Sequence, residues 1–115
     1  MNKAIQPPAA VVLVSVETLT FARELAHTLV KEHLIACAHC LPAGISIYRW
    51  QGDIHEAEEI QLLLKTRMKL TEDVVARVKT LHPYDVPEIL VLPVTKGLPE
   101  YLRWIEDCTH EKENI

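Results

Sequence analysis

Glycine is scarce in this chain: three in 115 residues. Loops that cradle phosphates on backbone N–H groups need glycines in close series, so the composition argues against a nucleotide-binding loop. Aromatic residues make up 5% of the chain, which leaves few to build a base-stacking face. The 12 Lys and Arg residues are outnumbered by 16 Asp and Glu, a net charge of −4. That balance weighs against nucleic acid as a partner, because such binding draws on phosphate neutralisation by clustered cations. Cys37, Cys40 and Cys108 cannot close a disulfide framework. Unpaired thiols suit a reducing compartment, so the cytoplasm is the expected location. No run approaches the ~20 apolar residues that span a bilayer, so no membrane partner is expected. Met1–Pro8 has one lysine and no long apolar stretch, and does not read as a secretory signal.

What is present is ordinary for a folded protein: 49% hydrophobic and 24% charged residues. The length fits one domain, expected over 9–109, with flexible ends at 1–8 and 110–115. Ala9–Val16 is a nearly continuous β-branched run, suited to a central strand. From Leu19 to His33, Ala22, Leu25, Ala26, Leu29, Val30 and His33 recur at helical spacing, with Thr18 or Thr20 as N-cap. Ile35–Leu41 is apolar again, and beyond Pro42 and Gly44 the segment Ile45–Trp50 alternates as a strand does. Gln51-Gly52-Asp53 is a turn signal. Ile54–Thr66 has period two, with Glu59, Gln61, Leu63 and Lys65 on one face. A second helix is predicted over Thr71–Leu81 and is ended by Pro83. Glu88–Val94 reads as a strand whose Pro93 belongs at a sheet edge. Pro99 opens a short terminal helix.

The order is β-α-β-β-α-β plus a helix. It is the split βαβ pattern of an α+β, ferredoxin-like sandwich, with both main helices on one sheet face and the other face bare. The strand at 54–66 would run roughly 43 Å at ~3.3 Å per residue, longer than the ~35 Å diameter of a domain this size. It must bend or overhang. An overhanging hairpin exposes edges that need a partner, so a homo-oligomer is expected.

Motif chemistry is thin. Cys37-Ala38-His39-Cys40 has CxxC spacing, but a redox pair needs its first cysteine at a helix N-terminus, and this motif enters a strand. A zinc knuckle would need a second ligand pair. Small thiols packed as apolar groups are the alternative. The six histidines are scattered. His82 stands out because it precedes Pro83-Tyr84 at the mouth of a loop, although a histidine that merely ends a helix reads the same way. Lys65 and Glu59 share a strand face, as a site or as an ordinary surface pair. No catalytic motif is present, and no enzyme is expected.

Several strings together resemble the CutA family of divalent-cation tolerance proteins. They are Leu34-Ile35-Ala36-Cys37-Ala38, Tyr48-Arg49-Trp50-Gln51-Gly52, Glu58-Glu59 through Leu64-Lys65-Thr66, His82-Pro83-Tyr84-Asp85-Val86-Pro87-Glu88-Ile89, and Tyr101-Leu102-Arg103-Trp104. The resemblance runs from about Val11 to Cys108. It implies a homotrimer of ferredoxin-like subunits, with intersubunit pockets lined by Cys37, Trp50, Glu59, Lys65, His82, Tyr84 and Trp104. It implies a role in the response to metal ions, with copper or another divalent cation as ligand and His82 as the metal-binding residue. Members ascribed copper binding carry a Cys and a second His where this chain has Val14 and Leu81. His39 and Cys40 are unusual for the family, but strand geometry argues against their converging with His82. A second reading follows from the missing ligands: a small-molecule-sensing or scaffold trimer that holds an anion on Lys65.

Overall fold

The computed structural model describes residues 7–110. The expected flexible ends at 1–8 and 110–115 fall largely outside them. Of the residues that are described there, Pro8 accepts a backbone bond from Met68, and His110 donates one to the His33 carbonyl and stacks on its ring.

β1 (Ala9–Val16) is the apolar run read from the sequence. α1 (Leu19–Lys31) starts where the Thr18 side chain accepts from the Phe21 N–H at 3.1 Å. β2 (Cys37–Trp50) is one long strand. Pro42 and Gly44 do not break it; they shift its register between Leu41 and Gly44, as a bulge does. β3 (Asp53–Arg67) follows a two-residue turn in which Gln51 and Gly52 both have positive φ. That turn matches the right-handed twist of the paired strands. One 3-10 turn leads into α2 (Thr71–Leu81), with Glu72 and Asp73 in its first turn and Lys79 in its last, which complements the helix dipole. β4 (Ile89–Val94) and α3 (Pro99–Cys108) complete the chain.

The sheet is antiparallel in the order β2-β3-β1-β4. Val12, Val14 and Val16 of β1 and Ile60, Leu62 and Leu64 of β3 point to one face. There they meet Ala22, Leu25 and Leu29 of α1, and Val74 and Val78 of α2. Each such buried valine, leucine or isoleucine contributes about 1.5–3 kcal/mol. Thr66 is buried in the same layer and donates to the Leu34 carbonyl, which satisfies its hydroxyl. Pro93 sits on β4, an edge strand, where its missing N–H costs no ladder bond.

The opposite sheet face is not bare, as the element order alone led one to expect. α3 covers one end of it, packing Ile105, Leu102 and Cys108 on Ala9, Ala36 and Val94. Arg67 fastens the helix end by donating to the Thr109 hydroxyl at 3.0 Å and to its carbonyl at 2.9 Å.

The overhang is real. β1 pairs with β3 only as far as Ile60, so residues 53–59 pair with β2 alone. That free arm is roughly 23 Å long at ~3.3 Å per residue. It stretches the molecule to 48 × 36 × 27 Å and its radius of gyration to 15.4 Å, above the ~13 Å of a compact domain this size. On the arm, Ile45, Ile47 and Ile54 are 59%, 67% and 70% exposed.

Candidate functional site

The arm and the loop after α2 form the walls of an open groove of about 720 Å³. From the arm come Ser46, Tyr48, Trp50, Ala57 and Glu59; from the loop, Tyr84, Asp85, Val86, Pro87 and Glu88; Ser15 at the end of β1 closes one side. Strand register explains the set apart from Ile47, which also lines the groove although it pairs with Glu56 on the opposite face. Tyr48 pairs with His55, Ser46 with Ala57 and Gly44 with Glu59, so these side chains share the face that Ser15 also occupies.

His82 positions the loop. Its ring is buried, with Nε2 2.8 Å from the Ser15 carbonyl oxygen and Nδ1 accepting from the Tyr84 N–H at 3.2 Å. A carbonyl can only accept, so this geometry assigns the proton to Nε2 and the lone pair to Nδ1. Phe21 meets the ring edge-on and Tyr84 packs against it. Glu88 ties the far end of the loop: one carboxylate oxygen accepts from the Ser15 hydroxyl and from Gln61, each at 3.1 Å. Lys79 donates to the Asp85 carbonyl at 3.2 Å.

The groove is electronegative. Glu59, Asp85 and Glu88 line it, with no Lys, Arg or His among its lining residues. Tyr84 registers the field. Its phenol is pushed above the ordinary 10.0, first by partial burial, then by the charges of Glu59 and Glu17. The phenol donates to Glu59 at 3.5 Å, long for an O–H···O bond.

The residues expected in one pocket therefore divide into two groups. Trp50, Glu59 and Tyr84 line the groove, with His82 behind Tyr84. Cys37, Lys65 and Trp104 lie at the other end of the sheet. Cys37 pairs with Lys65, its Sγ is 3.6 Å from the Tyr101 hydroxyl, and Tyr101 packs on Trp104. The contact with Cys37, more than burial, raises the Tyr101 phenol above its ordinary value. Lys65 stands six residues along β3 from Glu59, roughly 20 Å at ~3.3 Å per residue. Sequence reasoning passed over Ser15, Tyr48, Asp85 and Glu88. The signal for the last two was present in the string from His82 to Glu88.

Residues 10–108 match the family model of the CutA1 divalent ion tolerance protein. The chain belongs to the CutA1 family. The divalent-cation tolerance protein CutA of Thermus thermophilus is 46% identical over 99 residues, which covers 86% of this chain and 96% of that protein. The chloroplastic protein CutA of Arabidopsis thaliana is 38% identical over 102 residues, 89% of this chain and 56% of that protein. The solved structure of the Thermus thermophilus protein superposes with a TM-score of 0.86 at 45% identity, covering 89% of this chain and 99% of that one.

For a CutA1 chain the first question is whether its residues could hold a divalent cation. Within this chain the donor set does not fit. Both ring nitrogens of His82 are engaged by backbone groups, so neither offers a lone pair to a metal. This disagrees with the metal-binding role expected of His82; the ring serves as a strut between β1 and the loop. Val14 and Leu81 pack in or against the core and supply no donor. Cys37 pairs with Lys65 and Cys40 with Leu62, so the two thiols face opposite sides of the sheet and Cys40 packs on the core. Among the described residues no group of three or more His, Cys, Asp and Glu side chains is arranged to hold a metal ion.

Proposed function

We propose that this protein is a ferredoxin-like homotrimer of the CutA type, active in the response to divalent cations as a binding and assembly protein rather than as an enzyme. The observation that carries the reading is the β2–β3 arm, joined to membership of the CutA1 family. Its three exposed isoleucines, and the uncovered β4 edge with Leu90 and Leu92 exposed, are surfaces that a subunit alone leaves unpaired. The strand order, with α1 and α2 on one face, supports the ferredoxin-like assignment. Assembly would also explain the divided site: the Cys37–Lys65–Trp104 end of one subunit and the Trp50–Glu59–Tyr84 groove of the next can form a single intersubunit pocket. The cytoplasm is the location that the unpaired thiols favour.

Copper is the cation that the resemblance implies. To ligate it, His82 would have to release one of its two backbone partners, and further donors would have to come from a neighbouring subunit. Native mass spectrometry with added Cu(II), on wild type and His82→Ala, tests both parts. A trimer with stoichiometric copper that is lost in the variant supports the copper reading. A metal-free trimer at micromolar copper sinks it and leaves the assembly. A monomer sinks the assembly.

Lys65 favours a second reading. Among the described residues its ammonium has no ion-pair partner, and it lies beside Cys37 at the α3 end of the sheet. A small anion held there in the trimer would make the protein a sensor or scaffold. Binding of inorganic phosphate that Lys65→Met abolishes would favour it; phosphate binding unaffected by that change would exclude it.

A further inference from the structure

We propose that His33 and His110 together hold one borderline transition-metal dication, of the Zn(II) class, between their imidazoles. The pair lies apart from the donors that the resemblance pointed to. It also lies apart from the surfaces that the trimer reading uses: neither residue belongs to the arm, to the β4 edge or to either half of the divided pocket. The inference therefore stands in a monomer as in a trimer.

Three observations carry it. The first is proximity. His33 follows α1 and His110 follows α3, and their rings stack with centroids 4.2 Å apart and planes 25° from parallel. Both residues are exposed, so the stack can tilt to aim two nitrogens at one ion. Two neighbouring nitrogens at ~2.0–2.1 Å from a metal stand about 3 Å apart, within the reach of rings this close. The second is the free lone pairs. Nδ1 of His33 is 3.4 Å from the Cys108 carbonyl oxygen, a long hydrogen bond. A carbonyl only accepts, so Nδ1 carries the proton and Nε2 the lone pair. A metal-binding imidazole is oriented in this way, by an acceptor on its other nitrogen. The ring nitrogens of His110 have no hydrogen bond among the described residues. His82, with both nitrogens bonded, is the opposite case. The third is the field. Each histidine stands just past a helix C-terminus, so α1 and α3 bring two negative dipole ends together, where a cation is favoured.

The frame is fixed before the ion arrives. His110 donates its N–H to the His33 carbonyl at 3.2 Å. Arg77 holds Glu32 and Arg67 holds Thr109, the residues that precede the two histidines. His33 keeps a side chain at φ 62°, the left-handed position after a helix where glycine is usual, which costs backbone strain. No group of three His, Cys, Asp or Glu donors forms among the described residues, so water fills the remaining positions and the ion exchanges freely. Imidazole donors select Zn(II), Cu(II) or Ni(II) over Ca(II) and Mg(II), which take oxygen ligands.

The test titrates the full chain with Zn(II) and follows each imidazole in long-range proton–nitrogen NMR spectra. The expected result is a saturable shift of the His33 Nε2 and His110 ring signals, at one ion per subunit, with the His82 ring unmoved. His110→Gln should weaken binding at least tenfold. His33→Asn should do the same, and asparagine is chosen because it accepts the left-handed backbone. Far-UV circular dichroism confirms that both variants fold. His27→Gln, on the exposed face of α1, should bind as wild type does. Mg(II) at the same concentration should shift neither ring. No shift at millimolar Zn(II), wild-type affinity in a folded His110→Gln or His33→Asn, or equal shifts with Mg(II) would overturn the proposal. Loss of Zn(II) in His82→Ala alone would overturn it too, and would return the metal to the copper reading above.

Discussion

The proposed homotrimer predicts that replacing Ile47 by serine takes the assembly apart while leaving the subunit folded. Ile47 is 67% exposed on the arm, beyond the reach of α1 and α2. Complete burial of an isoleucine is worth about 1.5–3 kcal/mol, so covering the exposed two-thirds is worth about 1–2 kcal/mol. A trimer contains three copies of the contact, which makes the loss about 3–6 kcal/mol per assembly. At 1.4 kcal/mol per factor of ten, the trimer dissociation constant should rise roughly 10²- to 10⁴-fold. Sedimentation velocity across a dilution series reads this directly, with far-UV circular dichroism to confirm that the isolated subunit keeps its secondary structure. Val30→Ser is the control: it removes an exposed aliphatic from α1, away from the arm, and should not alter assembly. A wild-type protein that is monomeric at micromolar concentration, or an Ile47→Ser trimer as tight as wild type, would refute the reasoning.

His82→Ala should destabilise the fold by about 2–4 kcal/mol, because it removes a buried ring, its bond to the Ser15 carbonyl of β1 and the acceptor that holds the Tyr84 N–H within the loop. Urea unfolding at fixed subunit concentration measures this; a loss under 1 kcal/mol would mean that the ring is no strut. Cys40→Val should change stability by less than about 1 kcal/mol, since the thiol packs as a small apolar group on the core face; a large change in metal affinity would instead revive the CxxC reading. In spectrophotometric titration at 295 nm, Tyr84 and Tyr101 should ionise later than a free phenol, and Tyr84→Phe and Tyr101→Phe should each remove part of the late step. Both phenols are raised in the folded state, so their contribution to stability is complete below pH ~10 and falls as pH climbs through the folded values. Titration of Tyr84 at the free-phenol value would contradict both its partial burial and the negative charge beside it.

Local pattern carried most of the architecture. The β-branched run at 9–16, the helical stripes of α1 and α2, the Gln51-Gly52 turn and the period-two strand into Thr66 each reflect short-range chemistry. That chemistry acts on neighbours a few residues apart, so it is legible without coordinates. The overhang was legible too, because it follows from counting residues in one strand. The covered end of the second sheet face was not. The stripe Leu102, Ile105 and Cys108 shows that α3 is amphipathic, but not which apolar surface it meets. Only the closure of the chain, with Arg67 gripping Thr109, decides that.

The site divides along the same line. The sequence by itself determined the family, the acidic balance and the string from His82 to Glu88, because these are properties of residue identity and spacing. It could not determine what His82 bonds. A histidine before Pro-Tyr reads as a free ligand at a loop mouth until β1 brings the Ser15 carbonyl within 2.8 Å of it. Nor could it separate Glu59 from Lys65, which share a face by parity yet lie at opposite ends of a long strand, one in the groove and one beside α3. Spacing fixes the face on which a side chain lies. Which groups then surround it is set by long-range contacts, and these exist only once the sheet has assembled.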